Sequence, residues 1–373
     1  MNKTELKKIL DWINRKREIP LVNFYWDIAH TEIERISSWL PSLDWCLWWW
    51  LPMGRIIEIY WNESSWKSSA AIQLLVEVQK SYPNSFQLYV DTEHSMDWDY
   101  ARALWLNTDR LIFSQPDTAE EALDLMYELA WTEWVRAVIF DSVAQIAPSK
   151  EVNWNSWDAE MWMRARLLSQ AMRKLPPVAE KNKCLVLLIN QTRVNLWQMF
   201  WDNTTTPWGS AIKFAASVRI KTATKKDKTD NSVWVTTFKI IKNKVWVPFR
   251  ETEVEIEFWK GFNTVKDLLT LAKTLWVIYQ SASSYSFRDK KWIGNDKMLE
   301  EFMSDIKLRK DIENTIKLYD NCKDIVDKAI KLEIISDNKF WDKKWEKEWL
   351  MRKDFIENPK LLKELSEVIK NSV

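Results

Sequence analysis

Between about residue 36 and residue 260, short apolar and β-branched runs alternate with longer segments of helical period. Strands are predicted at Arg55–Tyr60, Phe86–Val90, Arg110–Ser114, Ala137–Asp141, Cys184–Asn190 and Ser217–Lys221, then at Val233–Lys242 and Thr252–Phe258. Strands separated by helices point to an α/β fold with a mainly parallel twisted sheet covered on both faces. Ligands of such sheets bind beyond the carboxyl ends of the strands. Residues 1–35 read as a helix and a short extended stretch, too small to fold alone and therefore an arm that docks elsewhere. After Gly261 the chain becomes helical and highly charged. The expected division is an arm (1–35), a core (36–261), a small α-rich C-terminal domain (262–320) and a charged helical tail (321–373). Met298–Phe302 is echoed by Met351–Phe355, each before a charged helix; this is either a duplicated helical unit or two unrelated amphipathic helices.

Charge and cysteine content narrow the class. Lys and Arg total 54 against 53 Asp and Glu, so an anionic partner must be met by local patches rather than by a global field. Cys46, Cys184 and Cys322 lie far apart with no C-x-x-C pair, which suits reduced thiols in the cytoplasm. The charged N-terminus lacks a leader pattern, and no uncharged run reaches the roughly 18 residues of a membrane span. With only His30 and His94, a two-His zinc motif cannot be built.

Glycine and tryptophan are out of proportion. An average chain of this length would hold ~26 glycines, whereas this one has 4 Gly and 27 Trp. Trp48-Trp49-Trp50, Trp201-Asp202-Asn203 and Pro207-Trp208-Gly209 sit in loop-like surroundings where glycine supplies positive φ and an indole has no evident packing role. The pattern is that of a gene whose UGA codons specify glycine but have been read as tryptophan; the alternative is a genuinely Trp-rich protein.

The strongest motif follows the first core strand: Trp61-Asn62-Glu63-Ser64-Ser65-Trp66-Lys67-Ser68-Ser69, opening a helical run to Gln79. With glycine at 61 and 66 it is G-x-x-x-x-G-K-S, the P-loop. Its backbone N–H groups surround phosphates, Lys67 reaches the β- and γ-phosphates, and the Ser68 hydroxyl coordinates Mg²⁺. Tryptophan at both glycine positions would abolish nucleotide binding. Ala137–Phe140 ends in Asp141-Ser142, the form of a Walker B carboxylate that holds Mg²⁺. Asp91-Thr92-Glu93-His94 closes another strand, where Glu93 is either the group that activates the attacking water or a solvated loop carboxylate.

Leu51–Tyr60 with the P-loop, Asp91–His94, Ser114–Thr118, Asp141–Ala144, Ser169–Leu175, Ile189–Arg193 and Lys242–Lys244 fall in the order and spacing of bacterial RecA recombinases. The chain resembles that family over roughly residues 1–320. Trp39, Trp48, Trp61, Trp66, Trp105, Trp157, Trp162, Trp197, Trp201 and Trp208 stand where the resemblance expects glycine. Three departures accompany it. The Trp48–Leu51 turn is one residue short, the tail is mixed in charge rather than acidic, and the P-loop hydroxyl is Ser68 rather than Thr.

The resemblance implies a RecA-like P-loop ATPase that uses ATP and Mg²⁺, forms a filament on single-stranded DNA, and pairs it with duplex in recombination, DNA repair and the SOS response. Catalytic roles fall to Glu93, Lys67 and Gln191, the last as γ-phosphate sensor. Asp141 and Ser68 hold the metal, Tyr100 stacks on adenine, and Lys242 and Lys244 reach a neighbouring protomer's nucleotide. Arg164 and Arg166 beside a first loop (about 151–163), and Arg193 with Phe200 in a second (about 192–207), would contact DNA. Residues 1–35 would pack on the adjacent subunit, and a LexA-like repressor is a further implied partner. The rival readings are a related P-loop DNA motor or repair ATPase, or a non-hydrolysing DNA-binding filament if the tryptophans are real.

Overall fold

The computed structural model describes residues 3–15, 33–48, 50–61, 66–149, 161–194, 204–205, 210–227, 233–331, 339–340, 343–344 and 358–372. A nine-stranded sheet forms its centre. The strands in chain order are β1 (Ile56–Trp61), β2 (Phe86–Asp91), β3 (Leu111–Ser114), β4 (Val135–Asp141), β5 (Leu185–Gln191), β6 (Val218–Lys226), β7 (Val233–Asn243), β8 (Glu251–Glu257) and β9 (Gly261–Phe262). Across the sheet they lie in the order β9-β8-β7-β6-β1-β5-β4-β2-β3. From β6 to β3 neighbours are parallel, and β7, β8 and β9 extend the edge antiparallel.

The parallel part is buried on both faces, which is why its strands read as continuous apolar runs. Ile57, Ile59, Leu187 and Ile189 pack to one side with Ile72 and Leu75 of the helix Lys67–Ser81. Ile56, Val138, Val186 and Leu188 pack to the other with Met172 and Leu175 of the helix Met161–Asn182. The eight strands expected from sequence are present. β6 runs five residues further than expected, because its Thr- and Lys-rich end pairs with β7 in a long hairpin that hydrophobicity does not signal.

Beyond Gly261 the chain is not helical throughout, as the pattern had suggested. Tyr279–Ser281, Ser284–Phe287 and Lys290–Ile293 form a three-stranded antiparallel sheet. These strands are three or four residues long and rich in Ser and Lys, too short to show a period. They share a core, including Phe287, Trp292, Met298 and Ile312, with the helices Thr264–Thr274, Asn295–Ser304 and Ile306–Lys331. The last of these runs through residue 320. The second copy of the echo, Met351–Phe355, lies outside the described residues; the helix Pro359–Ser372 follows it. At the N-terminus Lys3–Asn14 is helical.

Backbone geometry bears directly on the tryptophan excess. Among the described residues, eleven non-glycines have φ in the left-handed region, and six are tryptophan: Trp39, Trp48, Trp50, Trp105, Trp259 and Trp276. A bulky L-residue there is an outlier, whereas glycine takes the conformation without cost. Three of the six stand one residue past a helix C-cap, the C′ position that favours glycine. They are Trp48 after Pro41–Cys46, Trp105 after Trp98–Ala103 and Trp276 after Thr264–Thr274. At Trp105 the hydrogen bonds are those of a full Schellman motif, Trp105 N–H to Arg102 O at 2.9 Å and Leu106 N–H to Ala101 O at 3.1 Å. The indole itself is 85% exposed. Gly54 shows the same need met by glycine, with φ +69° and backbone atoms of Ala179 and Glu180 only 3.1 Å from where a Cβ would stand.

Candidate nucleotide site

Four parallel strands end together at one edge of the sheet. In register, Trp61 of β1 lies opposite Gln191 of β5, and Asp91 of β2 opposite Asp141 of β4. The helix Lys67–Ser81 starts at this edge, and a helix N-terminus favours an anion through its dipole and its first N–H groups. Asn62–Ser65, the expected phosphate-wrapping loop, lie outside the described residues, as do the side chains of Trp61 and Lys67. Trp66 has the indole edge-on to Trp234 and Phe258.

Around the helix start the side chains form one connected set. Asp141 Oδ2 accepts from the buried Tyr89 hydroxyl at 2.7 Å and from Ser68 Oγ at 3.4 Å. Burial, reinforced by the Asp141 charge, holds the Tyr89 phenol well above its usual pKa, so it stays a hydrogen-bond donor. A hydroxyl and a carboxylate side by side at a helix N-terminus is a donor set suited to Mg²⁺ with phosphate.

Glu93 is held by its neighbours. Asp91 accepts from the backbone N–H groups of Glu93, Ser95 and Met96 at 3.1–3.2 Å and from Gln115 Nε2 at 3.3 Å, so the turn after β2 folds around one carboxylate. Thr92 ties that turn to β4, its Oγ1 donating to Ser142 O at 2.8 Å and accepting from Ser142 N–H at 3.1 Å. Gln191 Nε2 then donates to Glu93 Oε1 at 2.8 Å. Tyr100 stands on the other flank, its hydroxyl 2.6 Å from Ser69 Oγ, and burial raises its pKa.

Comparison with known proteins decides the family. The model of the RecA N-terminal domain matches residues 5–263. Protein RecA of Cereibacter sphaeroides is 41% identical over 245 residues, 65% of this chain and 71% of that protein. Protein RecA of Trichodesmium erythraeum is 37% identical over 295 residues, covering 78% and 81%, and that of Clostridioides difficile 35% over 277, covering 73% and 78%. The chain belongs to the RecA family. Its role is therefore that of a RecA recombinase in homologous recombination and DNA repair.

The other residues that the RecA resemblance singles out lie away from this cluster. Lys242 and Lys244, at and just beyond the end of β7, are drawn to the last turn of the helix Ala211–Ala215, donating to Lys213 O at 2.6 Å and Phe214 O at 3.2 Å respectively. Burial and the nearby Lys244 and Arg219 lower the Lys242 pKa, with Glu58 opposing. Arg164 is half-buried and Arg166 exposed in the first turns of the helix Met161–Asn182. The Arg193 backbone pairs with Thr205, bringing the ends of the second loop together, while Phe200 lies outside the described residues.

Sequence reading missed the supporting residues Tyr89, Asp91, Thr92 and Asn190. Only Asp91, a carboxylate at a strand end two residues before Glu93, carried a local signal, that of an Asx-type turn.

Proposed function

We propose that the chain is a DNA-dependent ATPase whose nucleotide binds at the start of the helix Lys67–Ser81, as recombination by a RecA protein requires. The observation that carries the reading is the convergence of Ser68–Asp141 with Glu93–Gln191 at a single sheet edge. Ser68 and Asp141 would hold Mg²⁺, which when bound neutralises phosphate charge. Lys67 would reach the β- and γ-phosphates, and Tyr100 the adenine. Glu93, oriented by Asp91 and Gln191, would take the proton of the attacking water. Gln191 would register the γ-phosphate at the mouth of the loop that begins at Thr192, so that ATP favours the DNA-gripping state.

Lys242 and Lys244 would act on the nucleotide of the next protomer in a filament on single-stranded DNA. Arg164, Arg166 and Arg193 would supply phosphate contacts and Phe200 an apolar wedge between bases. The segment 1–35, with its helix Lys3–Asn14, would join neighbours as an arm on the 36–261 core. All of this requires glycine at positions 61 and 66. The left-handed tryptophans support the reading of UGA-encoded glycine across the chain.

The test is ATP hydrolysis with and without single-stranded DNA. It compares the chain as written with one carrying glycine at Trp39, Trp48, Trp61, Trp66, Trp105, Trp157, Trp162, Trp197, Trp201 and Trp208. DNA-stimulated turnover only in the glycine form is the expected result. A glycine form that coats DNA but never hydrolyses ATP would sink the ATPase reading.

A further inference from the structure

Beneath the nucleotide edge lies a polar cluster that the proposed chemistry does not use. Glu58, in the middle of β1, is 0% exposed, and so is Asn190 on β5. Both point to the face packed by Ile56, Val186 and Leu188, since they share the parity of those residues along their strands. Arg219 of β6 is the register partner of Glu58 and donates to Glu58 Oε2 through Nε, with its guanidinium 4.6 Å from the Tyr60 ring centroid. Glu58 Oε1 accepts from Asn190 Nδ2 at 3.0 Å. The other end of the Asn190 amide, Oδ1, accepts from the Gln191 backbone N–H at 2.9 Å. Gln191 in turn holds Glu93.

The chain of contacts therefore runs from Arg219 through Glu58, Asn190 and Gln191 to Glu93 without a gap. At its other end Arg219 is the register partner of Lys242, whose charge it disfavours and Glu58 favours. A buried carboxylate is costly, and an apolar pair of the same volume would serve stability as well or better. What the polar cluster supplies is a fixed orientation for Gln191, set by an amide that has both ends committed.

We infer that Glu58 is a positioning residue for the ATPase: through Asn190 it fixes the γ-phosphate-sensing Gln191, and through Arg219 it balances charge beside Lys242. The inference rests on the ATPase reading proposed above. Glu58 touches no substrate, so its loss leaves nucleotide binding in place and weakens the response to it.

The experiment uses the glycine-bearing chain and the variant Glu58→Met/Arg219→Met, which removes both charges and the acceptor of the Asn190 amide together and so avoids an orphaned buried ion. Asn190→Leu, which keeps the ion pair, is the second variant. Both are expected to lower DNA-stimulated kcat about tenfold with KM for ATP unchanged. Both should also lose the tightening of single-stranded DNA binding that a non-hydrolysable ATP analogue produces in the parent. Wild-type kcat and wild-type tightening in folded variants, with only the melting temperature altered, would show a purely structural cluster and overturn the inference. A parent that hydrolyses no ATP removes the ATPase reading itself, and the inference falls with it before any variant is compared.

Discussion

Gln191 Nε2 donates to Glu93 Oε1 at 2.8 Å, linking the end of β5 to the turn that follows β2. The turn is built around Asp91, so the Glu93 carboxylate is restrained from two sides. Replacing it with an amide keeps the Gln191 contact but removes the proton acceptor. Glu93→Gln is expected to cut kcat for ATP hydrolysis by roughly 10²–10⁴ with little change in nucleotide affinity. Single-turnover hydrolysis and a nucleotide titration check the two parts. Equal losses in both would instead make Glu93 a binding residue.

Trp105 offers a test of the tryptophan excess that is independent of nucleotide. Its φ of 73° and its Schellman hydrogen bonds are those of a C′ glycine, and its indole is almost fully in solvent, so little packing is lost on removal. In the chain carrying tryptophan, Trp105→Gly is expected to stabilise by about 1–2 kcal/mol, the usual cost of an L-residue in the left-handed region. A denaturant midpoint with unchanged slope measures it.

How much of this was legible beforehand follows from the physics of each element. β1, β2, β4 and β5 are apolar on both faces, so their positions were readable to within two residues. The residues that do chemistry at their ends were readable because the P-loop and the strand-terminal Asp141 are local patterns. The supports were not: Tyr89 looks like one more core aromatic until it is seen 2.7 Å from Asp141, and Asn190 joins Glu58 across 132 residues of sequence. The small C-terminal sheet escaped because hairpins of three or four residues owe their existence to the core beneath them, Phe287 and Trp292 against Met298 and Phe302, rather than to any pattern of their own.

Two buried carboxylates, Asp44 and Asp267, give a pH dependence. Asp44 accepts from Ser37 Oγ at 2.7 Å and from Ser38 N–H at 2.6 Å, and Asp267 accepts from Ser42 N–H at 2.9 Å. Burial raises Asp44 to about 7 and Asp267 to about 6, despite these bonds. Because the folded values lie above the unfolded one near 3.8, the stability these groups allow is complete below about pH 4. It is lost as pH rises through about 6 and then about 7. Asp267→Asn removes one such group, so its stability relative to the parent should improve between pH 4 and pH 8 by on the order of 3 kcal/mol. Urea unfolding at the two pH values reads this directly; a constant difference would mean that Asp267 is ionised in the folded protein throughout.

The two P-loop positions make a prediction that depends on their acting together. Each glycine is required for a separate reason: position 61 begins the loop at the end of β1, and position 66 is the N-cap of the helix Lys67–Ser81, where the P-loop pattern calls for glycine so that backbone can meet phosphate. Relieving one obstruction leaves the other, so Trp61→Gly or Trp66→Gly alone should restore almost no ATP binding. The double substitution should restore nearly all of it. The expected change is from a Kd beyond about 1 mM to the micromolar range, a gain of about 4 kcal/mol that appears only in the pair. Isothermal titration of the four proteins with MgATP measures that coupling. Peptide masses of the native protein settle the same point chemically: glycine at 61 and 66 is expected, and an indole mass at either would mean that this chain does not bind nucleotide by its P-loop.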